Sequence, residues 1–167
     1  MKIVRLRDLV GTDRDIGRET FRSRRFLLAS DGQGYSFHET RIRAGTELHM
    51  WYKNHVETVY CIAGDGELED LATGEIHTVH DGMLYCLDDH DRHVLRATTD
   101  LRLICVFTPA LLGPELHDED GSFALLDSKA LDPIVEPARV IEQAEEVAKR
   151  VADREPGTQS NAAELPS

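Results

Sequence analysis

Two stretches of the sequence carry side chains that could bind a metal ion. Residues 45–64 contain His49, His55 and Glu57 within a run that alternates polar and apolar residues. Residues 82–97 add three side chains of similar chemistry, namely Tyr85, His90 and His93. Imidazole nitrogens together with carboxylate or phenolic oxygens suit iron, manganese or zinc. The pattern leaves two interpretations open, a metal-bearing pocket or a polar strand face exposed to solvent.

Both stretches are predicted to fold as β-strands, because a two-residue alternation places polar side chains on one face of a sheet. Residues 45–64 form two predicted strands joined by a turn at residues 52–54. Short alternating or apolar runs recur along the chain, at residues 3–4, 26–28, 35–43, 67–71, 75–79, 83–87, 93–97 and 101–107. Many short strands separated by turn residues predict an all-β fold of the sandwich or barrel type.

The chain is predicted to contain one barrel domain followed by an appendage. The barrel domain is predicted at residues 1–127, which hold all of the strand candidates. A helical C-terminal extension is predicted at residues 128–155, with an amphipathic helix at residues 138–153. The apolar residues of this helix recur at helical spacing, at Val140, Ala144, Val147 and Val151. Residues 156–167 are small and polar and are predicted to be a disordered tail.

The composition argues against several classes of partner. A formal net charge of −12 and a pI near 5.0 disfavour nucleic acid and anionic membrane surfaces. The first residues lack the apolar core of a signal peptide, and no run approaches the roughly 18 apolar residues of a membrane span. Cys61, Cys86 and Cys105 lie in apolar runs, which indicates reduced thiols. We therefore expect a cytoplasmic protein that acts on a small molecule.

The spacing of glycine, glutamate and histidine resembles the two sequence signatures of the cupin superfamily, whose members are small jelly-roll barrels. Five residues are in register with these signatures: Gly45, Glu57, Gly64, Gly82 and His93. Trp51 and Lys53 occupy positions where the first signature has two metal-binding histidines. Losing two imidazole ligands weakens such a site unless another group, such as the Tyr85 phenol, replaces them. A mixed oxygen–nitrogen metal site and a metal-free polar pocket both remain open at this point.

Longer blocks of sequence resemble the ectoine synthase family within that superfamily. The blocks cover roughly residues 1–126 and include His93 and residues 34–38, 45–47, 52–55, 57–62, 64–67, 82–85, 95–97, 103–107 and 113–121. The resemblance implies an iron-dependent, homodimeric hydro-lyase of compatible-solute biosynthesis under osmotic stress. Such an enzyme closes N-γ-acetyl-L-2,4-diaminobutyrate into the ring of ectoine with loss of water. Two departures from the family pattern are Phe21, where Trp is common, and Trp51, where His is common.

The resemblance also implies roles for individual residues. The implied metal ligands are Glu57, Tyr85 and His93, with Fe(II) expected and manganese or zinc left open. The residues implied to bind the substrate are Phe21, Arg25, Thr40, Cys105 and Phe107. The candidates for the acid and the base of the reaction are Tyr52, Glu115 and His117.

The implied reaction requires an amine to attack an amide carbonyl of the same molecule. A tight apolar pocket would hold the two ends together, and a metal ion would polarise the carbonyl oxygen. An acid and a base would move the protons that the ring closure releases and consumes. The substrate carboxylate would favour a guanidinium group, for which Arg25 is the predicted bidentate partner.

Two other functions remain open on the sequence alone. One is another metal-dependent cupin enzyme, such as a dioxygenase or isomerase, although the chain supplies few imidazole ligands for it. The other is a non-catalytic cupin that binds a small molecule, although no basic helical module accompanies the barrel. The remaining histidines are predicted not to bind the metal. His38, His77 and His80 are predicted at surface or structural positions. His49, His55 and His90 are predicted at most to contact the side chains that bind the metal.

Overall fold

A computed structural model describes residues 1–126 and contains ten β-strands and two single turns of 3₁₀ helix. The strands are β1 (Asp15–Gly17), β2 (Phe21–Leu27), β3 (Ser36–Ile42), β4 (Glu47–Met50), β5 (Val56–Ala63), β6 (Gly66–Asp70), β7 (Ile76–Val79), β8 (Leu84–Leu87), β9 (His93–Ala97) and β10 (Leu101–Thr108). The 3₁₀ turns are Leu6–Asp8 and Ala29–Asp31. Within residues 1–126, no helix is long and apolar enough to cross a bilayer.

The strands form two antiparallel sheets that pack face to face. One sheet has six strands in the order β1-β2-β3-β10-β5-β8, and the other has four in the order β4-β9-β6-β7. The chain passes repeatedly from one sheet to the other, as between β3 and β4, so the two sheets enclose a shared interior. Buried side chains of both sheets form a single hydrophobic cluster. This jelly-roll architecture confirms the all-β fold expected from the cupin resemblance.

The alternating pattern of β10 determines which of its side chains reach the interior. Every second residue of this strand is at most 4% exposed, namely Leu101, Leu103, Cys105 and Phe107. Successive side chains of a strand point to opposite faces, so these four share the inner face of the six-stranded sheet. The two leucines belong to the hydrophobic core, whereas the cysteine and the phenylalanine also border the cavity described below.

Most of the predicted strands are present, with small shifts at their ends. The segments predicted at residues 35–43, 93–97 and 101–107 correspond to β3, β9 and β10. The strand predicted at residues 3–4 is wrong, because Ile3 is 64% exposed and belongs to no strand. β-Branched residues favour a strand only where a neighbouring strand can pair with them and cover their side chains.

The structure describes residues 1–126 of the barrel domain that is predicted at residues 1–127. The predicted extension at residues 128–155, its amphipathic helix at residues 138–153 and the tail at residues 156–167 lie outside the described residues. These boundaries therefore stay predictions from the sequence.

Asp31 joins three separate parts of the chain at one end of the barrel. Its carboxylate accepts hydrogen bonds from the Leu28 backbone N–H at 2.8 Å and from Arg14 Nη1 at 2.9 Å. It also forms an ion pair with Lys2. The hydrogen bond from Arg14 is the largest of the effects that hold the pKa of Asp31 well below its ordinary value.

We expect Asp31→Asn to lower the free energy of unfolding at neutral pH by about 1.5–3 kcal/mol, because a charged hydrogen-bond acceptor is lost. A carboxyl group with a lowered pKa stabilises the fold above its ordinary pKa, and this contribution is lost as the pH falls below that value. The difference between Asp31→Asn and the native protein should therefore shrink below about pH 4. Urea unfolding of both proteins at neutral and acidic pH measures this difference in the free energy of unfolding. An equal difference at the two pH values contradicts the prediction.

Candidate active site

A cavity between the two sheets brings together almost all of the predicted site residues. Ten of the eleven line it, namely Phe21, Arg25, Thr40, Tyr52, Glu57, Tyr85, Cys105, Phe107, Glu115 and His117. The eleventh, His93, is 1% exposed and lies beside Tyr52, with the two ring centroids 6.2 Å apart. Residues that are widely separated in the sequence therefore meet around one cavity.

The six-stranded sheet arranges several of these side chains in one row across its strands. The row follows the strand registers through Arg25, His38, Cys105, Val59 and Tyr85. Residues directly opposite one another on antiparallel strands share a face and have Cβ atoms about 4.5–5.5 Å apart. The row therefore forms a polar stripe across the inner face of the sheet, and only Val59 interrupts it.

Residues 115–123, which we call the cap, contribute Glu115, Leu116, His117 and Phe123 to the lining of the cavity. The rings of His117 and Phe123 stack with centroids 4.4 Å apart, and the ring of Tyr52 stacks on Phe123 at 5.3 Å. The Tyr52 hydroxyl oxygen lies 2.9 Å from His117 Nε2. The cap thus joins two of the predicted acid–base residues in a direct hydrogen bond.

Burial keeps both members of this pair uncharged. Desolvation is the main cause that raises the pKa of Tyr52 well above its ordinary value, and the charge of Glu57 adds to it. Desolvation, followed by the charges of Arg25 and Arg18, lowers the pKa of His117 to about 4. The other neighbour of the phenol is the Met50 sulfur at 3.4 Å, and a thioether is a weak acceptor. The Tyr52 hydroxyl therefore donates to His117 Nε2.

Arg25 and Glu115 bind each other and the start of the cap. Arg25 Nη2 donates to the Glu115 carbonyl oxygen at 2.7 Å, and Nη1 donates to the Gly113 carbonyl oxygen and approaches Glu115 Oε2 at 3.5 Å. The Glu115 carboxylate also accepts from the backbone N–H groups of Leu112 and Gly113. Burial lowers the pKa of Arg25 to about 10, and Glu115 partly offsets this effect. Both terminal nitrogens of Arg25 therefore hold residues 113–115, and its Nε has no hydrogen-bond partner among the described residues.

Glu57 and Tyr85 bring oxygen donors to the interior. Glu57 lies on β5 and is 4% exposed, with no ion-pair partner within residues 1–126. Burial raises the pKa of Glu57 to about 8, and a hydrogen bond with Cys105 opposes this shift. Tyr85 lies on the adjacent strand β8, and burial raises its pKa well above the ordinary value. A buried carboxyl group without a cationic partner is the kind of group that a metal ion stabilises.

His93 supplies the nitrogen donor. Its Nδ1 lies 2.9 Å from the Asp91 carbonyl oxygen, so this nitrogen carries the proton and Nε2 keeps its lone pair. Nε2 is buried and has no hydrogen-bond partner in the described part of the chain. A backbone carbonyl that fixes the tautomer of a ligating histidine is usual at metal sites. The donor set Glu57, Tyr85 and His93 therefore fits a divalent metal ion.

No cluster of three or more His, Cys, Asp or Glu residues with metal-binding geometry occurs within residues 1–126. The donor set is compatible with this result because it includes a tyrosine and only two residues of those four types. Two of the candidate ligands, Glu57 and Tyr85, lie on neighbouring strands of the six-stranded sheet, and His93 belongs to the four-stranded sheet. Any ion bound by all three would therefore bridge the two sheets.

The cap is anchored on the turn between β4 and β5. Asn54 Nδ2 donates to the Phe123 carbonyl oxygen at 3.0 Å, and Lys53 forms an ion pair with Asp120. Gly121 lies against β4 with a positive φ of 73°, and a Cβ atom there would meet the His49 carbonyl oxygen and lie 2.8 Å from Met50 Cα. Only glycine fits this contact without moving the cap away from the strand.

We expect Gly121→Ala to lower catalytic efficiency by about 10-fold, because the displaced cap would separate His117 from Tyr52. The matched control is Gly74→Ala, since Gly74 has a similar φ of 75° and nothing within 4 Å of an added Cβ. The control carries the backbone strain without the clash. Steady-state rates and thermal melting curves of both variants test whether the clash lowers activity. Equal loss of activity in the two variants contradicts the prediction.

Ten residues that border the cavity were missing from the predicted site, and the three polar or aromatic ones among them are Ser23, His38 and Phe123. The surface alternative for His38 is wrong, because the residue is 1% exposed. A signal was present, since His38 precedes the predicted pocket residue Thr40 by two positions on one strand and so shares its face. Phe123 follows the last strand, and no local pattern indicates where its ring packs.

The chain is similar to known proteins over almost the whole described region. The family model for ectoine synthase matches residues 1–127. The L-ectoine synthase of Alkalilimnicola ehrlichii is 56% identical over 128 residues, which are 76% of this chain and 97% of that relative. The L-ectoine synthase of Desulfosudis oleivorans is 58% identical over 123 residues, 73% of this chain and 95% of that relative. The crystal structure of ectoine synthase from P. lautus superposes with a TM-score of 0.68 and 46% identity, covering 82% of this chain and 99% of that chain. The chain belongs to the ectoine synthase family of hydro-lyases.

Proposed function

We propose that this protein closes N-γ-acetyl-L-2,4-diaminobutyrate into ectoine with loss of water. The relatives named above are L-ectoine synthases. The observation that carries the proposal for this chain is the enclosed pocket in which Tyr52 and His117 are hydrogen-bonded at 2.9 Å beside Glu57. A mainly apolar wall with a few convergent polar groups is what a small-molecule site requires.

The apolar wall would fold the substrate so that its two ends meet. The rings of Phe21, Phe107 and Phe123 line the cavity and leave little space for an extended chain. Holding the amine against the acetyl carbon replaces an encounter between separate molecules with a reaction inside one bound conformer. Enclosure also limits access of bulk water to the reacting carbonyl.

Tyr52 and His117 would supply the acid and the base. His117 is neutral near pH 7, so it can receive a proton from the Tyr52 hydroxyl while that hydroxyl takes one from the substrate ammonium. The freed amine forms a bond to the acetyl carbon, and the carbonyl oxygen is protonated and leaves as water. Two of the three ammonium protons end on that water, so the pair returns to its starting state. Glu115 is less suited to this role, because its carboxylate already accepts from Leu112, Gly113 and Arg25.

The residues proposed to hold a metal ion are Glu57, Tyr85 and His93. Fe(II) is the proposed ion, with manganese or zinc as the alternatives. When bound, such an ion would act as a Lewis acid toward the acetamide oxygen. The partnerless His93 Nε2 and the unpaired Glu57 carboxyl group, both judged within residues 1–126, support this assignment.

The decisive assay incubates the purified full-length protein with ferrous iron and N-γ-acetyl-L-2,4-diaminobutyrate under anaerobic conditions. Chromatography is expected to detect ectoine, formed in proportion to the substrate consumed. Folded, iron-loaded protein that consumes no substrate would overturn the proposed function.

We also propose that the protein acts as a homodimer. Tyr60 and Leu84 are register partners on β5 and β8, and their outward side chains are 43% and 59% exposed. β8 is an edge strand, so this apolar pair lies at the border of the sheet, where a second copy can cover it. Light scattering should give twice the chain mass of 18.8 kDa. Leu84→Glu should shift this value toward the monomer, and a monomeric native protein contradicts the proposal.

A further inference from the structure

The loop between β8 and β9 contacts the segment that carries Tyr52. His90 lies in this loop, and its Nδ1 is 2.7 Å from the Tyr52 carbonyl oxygen. A carbonyl oxygen can only accept, so Nδ1 of His90 carries the proton and donates it to this hydrogen bond. The guanidinium group of Arg92 lies over the ring of Trp51, 5.6 Å from its centroid. The same loop therefore holds two successive residues, Trp51 and Tyr52.

The backbone of His90 has an unusual conformation. Within residues 1–126 it is the only residue other than glycine with a positive φ, which is 55°. Side chains disfavour this conformation, because the Cβ atom comes close to the following carbonyl oxygen. His90 is exposed, so burial of its ring does not compensate the strain. In the described part of the chain the imidazole makes one hydrogen bond, the one to Tyr52, and the conformation serves to direct it there.

This hydrogen bond extends the pairing of two strands beyond their ends. The ladder between β4 and β9 ends at Met50 and His93, and the link from His90 to Tyr52 is the next one along the two chains. The residue after His90 holds the other chain, because the carbonyl oxygen of Asp91 accepts from His93 Nδ1 at 2.9 Å. Two adjacent loop residues thus fix one proposed acid–base residue and one proposed metal ligand.

We propose that His90 is a positioning residue for proton transfer, because it fixes the backbone from which the Tyr52 side chain reaches His117. Tyr52 follows the end of β4 and lies outside every strand, so the N–H of His90 takes the place of a ladder hydrogen bond at its carbonyl group. A shift of Tyr52 by about 1 Å would break the contact of its hydroxyl with His117 Nε2, which is 2.9 Å long. The catalytic consequence rests on the proposed function, whereas the positioning of Tyr52 rests on the hydrogen bond itself.

His90→Gly tests the hydrogen bond without adding strain, because glycine adopts a positive φ readily. We expect kcat to fall by roughly 10- to 100-fold with little change in KM, since proton transfer slows while the cavity keeps its lining. His90→Asn should keep kcat within about threefold of the native value, because asparagine tolerates this φ and its Nδ2, like the histidine Nδ1, is an N–H donor bonded to Cγ.

The matched control is His80→Gly. His80 is also exposed, and its Nδ1 lies 2.8 Å from the Asp81 carbonyl oxygen, but this contact is local to its own loop. The control should leave kcat and KM unchanged. Native kcat in His90→Gly, or an equal loss of kcat in His80→Gly, overturns the proposal.

A double-mutant cycle with Tyr52→Phe separates positioning from a merely structural role. If His90 acts through the Tyr52 hydroxyl, adding His90→Gly to Tyr52→Phe should lower kcat by less than about twofold. An equal fractional loss of kcat in the native and the Tyr52→Phe backgrounds overturns the proposal.

Nitrogen NMR of the full-length protein with labelled histidines, recorded without added metal, gives a measurement that does not depend on turnover. The His117 Nε2 signal is identified as the one that moves in Tyr52→Phe, and His90→Gly should move it in the same direction. An unchanged His117 signal in His90→Gly overturns the proposal. A shifted signal, together with a native protein that forms no ectoine in the iron assay, instead overturns only the proposed function.

Discussion

Replacing Glu57 with glutamine is expected to abolish metal binding and to lower ectoine formation by roughly 1,000-fold or more. Glutamine has nearly the same shape as glutamate, but its neutral amide is a poor ligand for a divalent cation. Glu57 is 4% exposed and has no ion-pair partner within residues 1–126, so its charge contributes no ion-pair stabilisation to the metal-free fold. The melting temperature of the metal-free protein should therefore stay the same or rise, while activity is lost.

Glu39→Gln is the matched control for this experiment. Glu39 is equally buried at 3% exposure, but it lies on the outer face of the six-stranded sheet and pairs with Arg102 and Arg41. Its replacement should lower stability and leave the metal content unchanged. Metal analysis after gel filtration, together with the ectoine assay, measures both variants. Glu57→Gln protein that keeps a full complement of iron and full activity would remove Glu57 from the proposed ligand set.

Replacing Tyr52 with phenylalanine is expected to lower kcat by roughly 100- to 1,000-fold with little change in KM. The hydroxyl contacts only His117 Nε2 and the Met50 sulfur among the described residues, so its loss removes a proton-transfer partner and little packing. The aromatic ring would still stack on Phe123 and meet Phe107 edge to face. The thermal melting temperature should consequently change much less than the rate.

Tyr60→Phe provides the comparison, because Tyr60 faces outward on β5 and is 43% exposed. Removing its hydroxyl should change neither kcat nor KM. The pH dependence of kcat separates a role in proton transfer from a structural role, since only the former alters the shape of the profile. A Tyr52→Phe variant with native kcat and a native pH profile would assign the proton transfers to other groups.

The same structural feature underlies both predictions. Inward alternation on β5 carries Glu57 into the cavity, and the turn that precedes this strand carries Tyr52. The short segment that contains both residues therefore links the proposed metal donors of the sheets to the hydrogen bond between Tyr52 and His117. A change in the length of this turn would separate the two halves of the site.

The alternation of polar and apolar residues predicted much of the fold, because this alternation involves only residues that are close together in the chain. The two-residue alternation of β3 and β10 reveals which side chains face inward, whatever the rest of the molecule does. Applied consistently, it also places His38 beside Thr40 on the inner face. The incorrect strand at residues 3–4 shows the limit of this reasoning, since the side chain of Ile3 finds no partner that covers it.

The sequence by itself determined the all-β class, the residue types of the site and, through resemblance, the family. Only the tertiary structure decided which of those residues contact one another, because these contacts join distant parts of the chain. Arg25 holds Glu115, 90 positions away, and Tyr52 meets His117, 65 positions away. Strand register and cap packing set these contacts, and neither leaves a local pattern. The structure therefore shows that Arg25 and Glu115 bind each other and the backbone of residues 112–113.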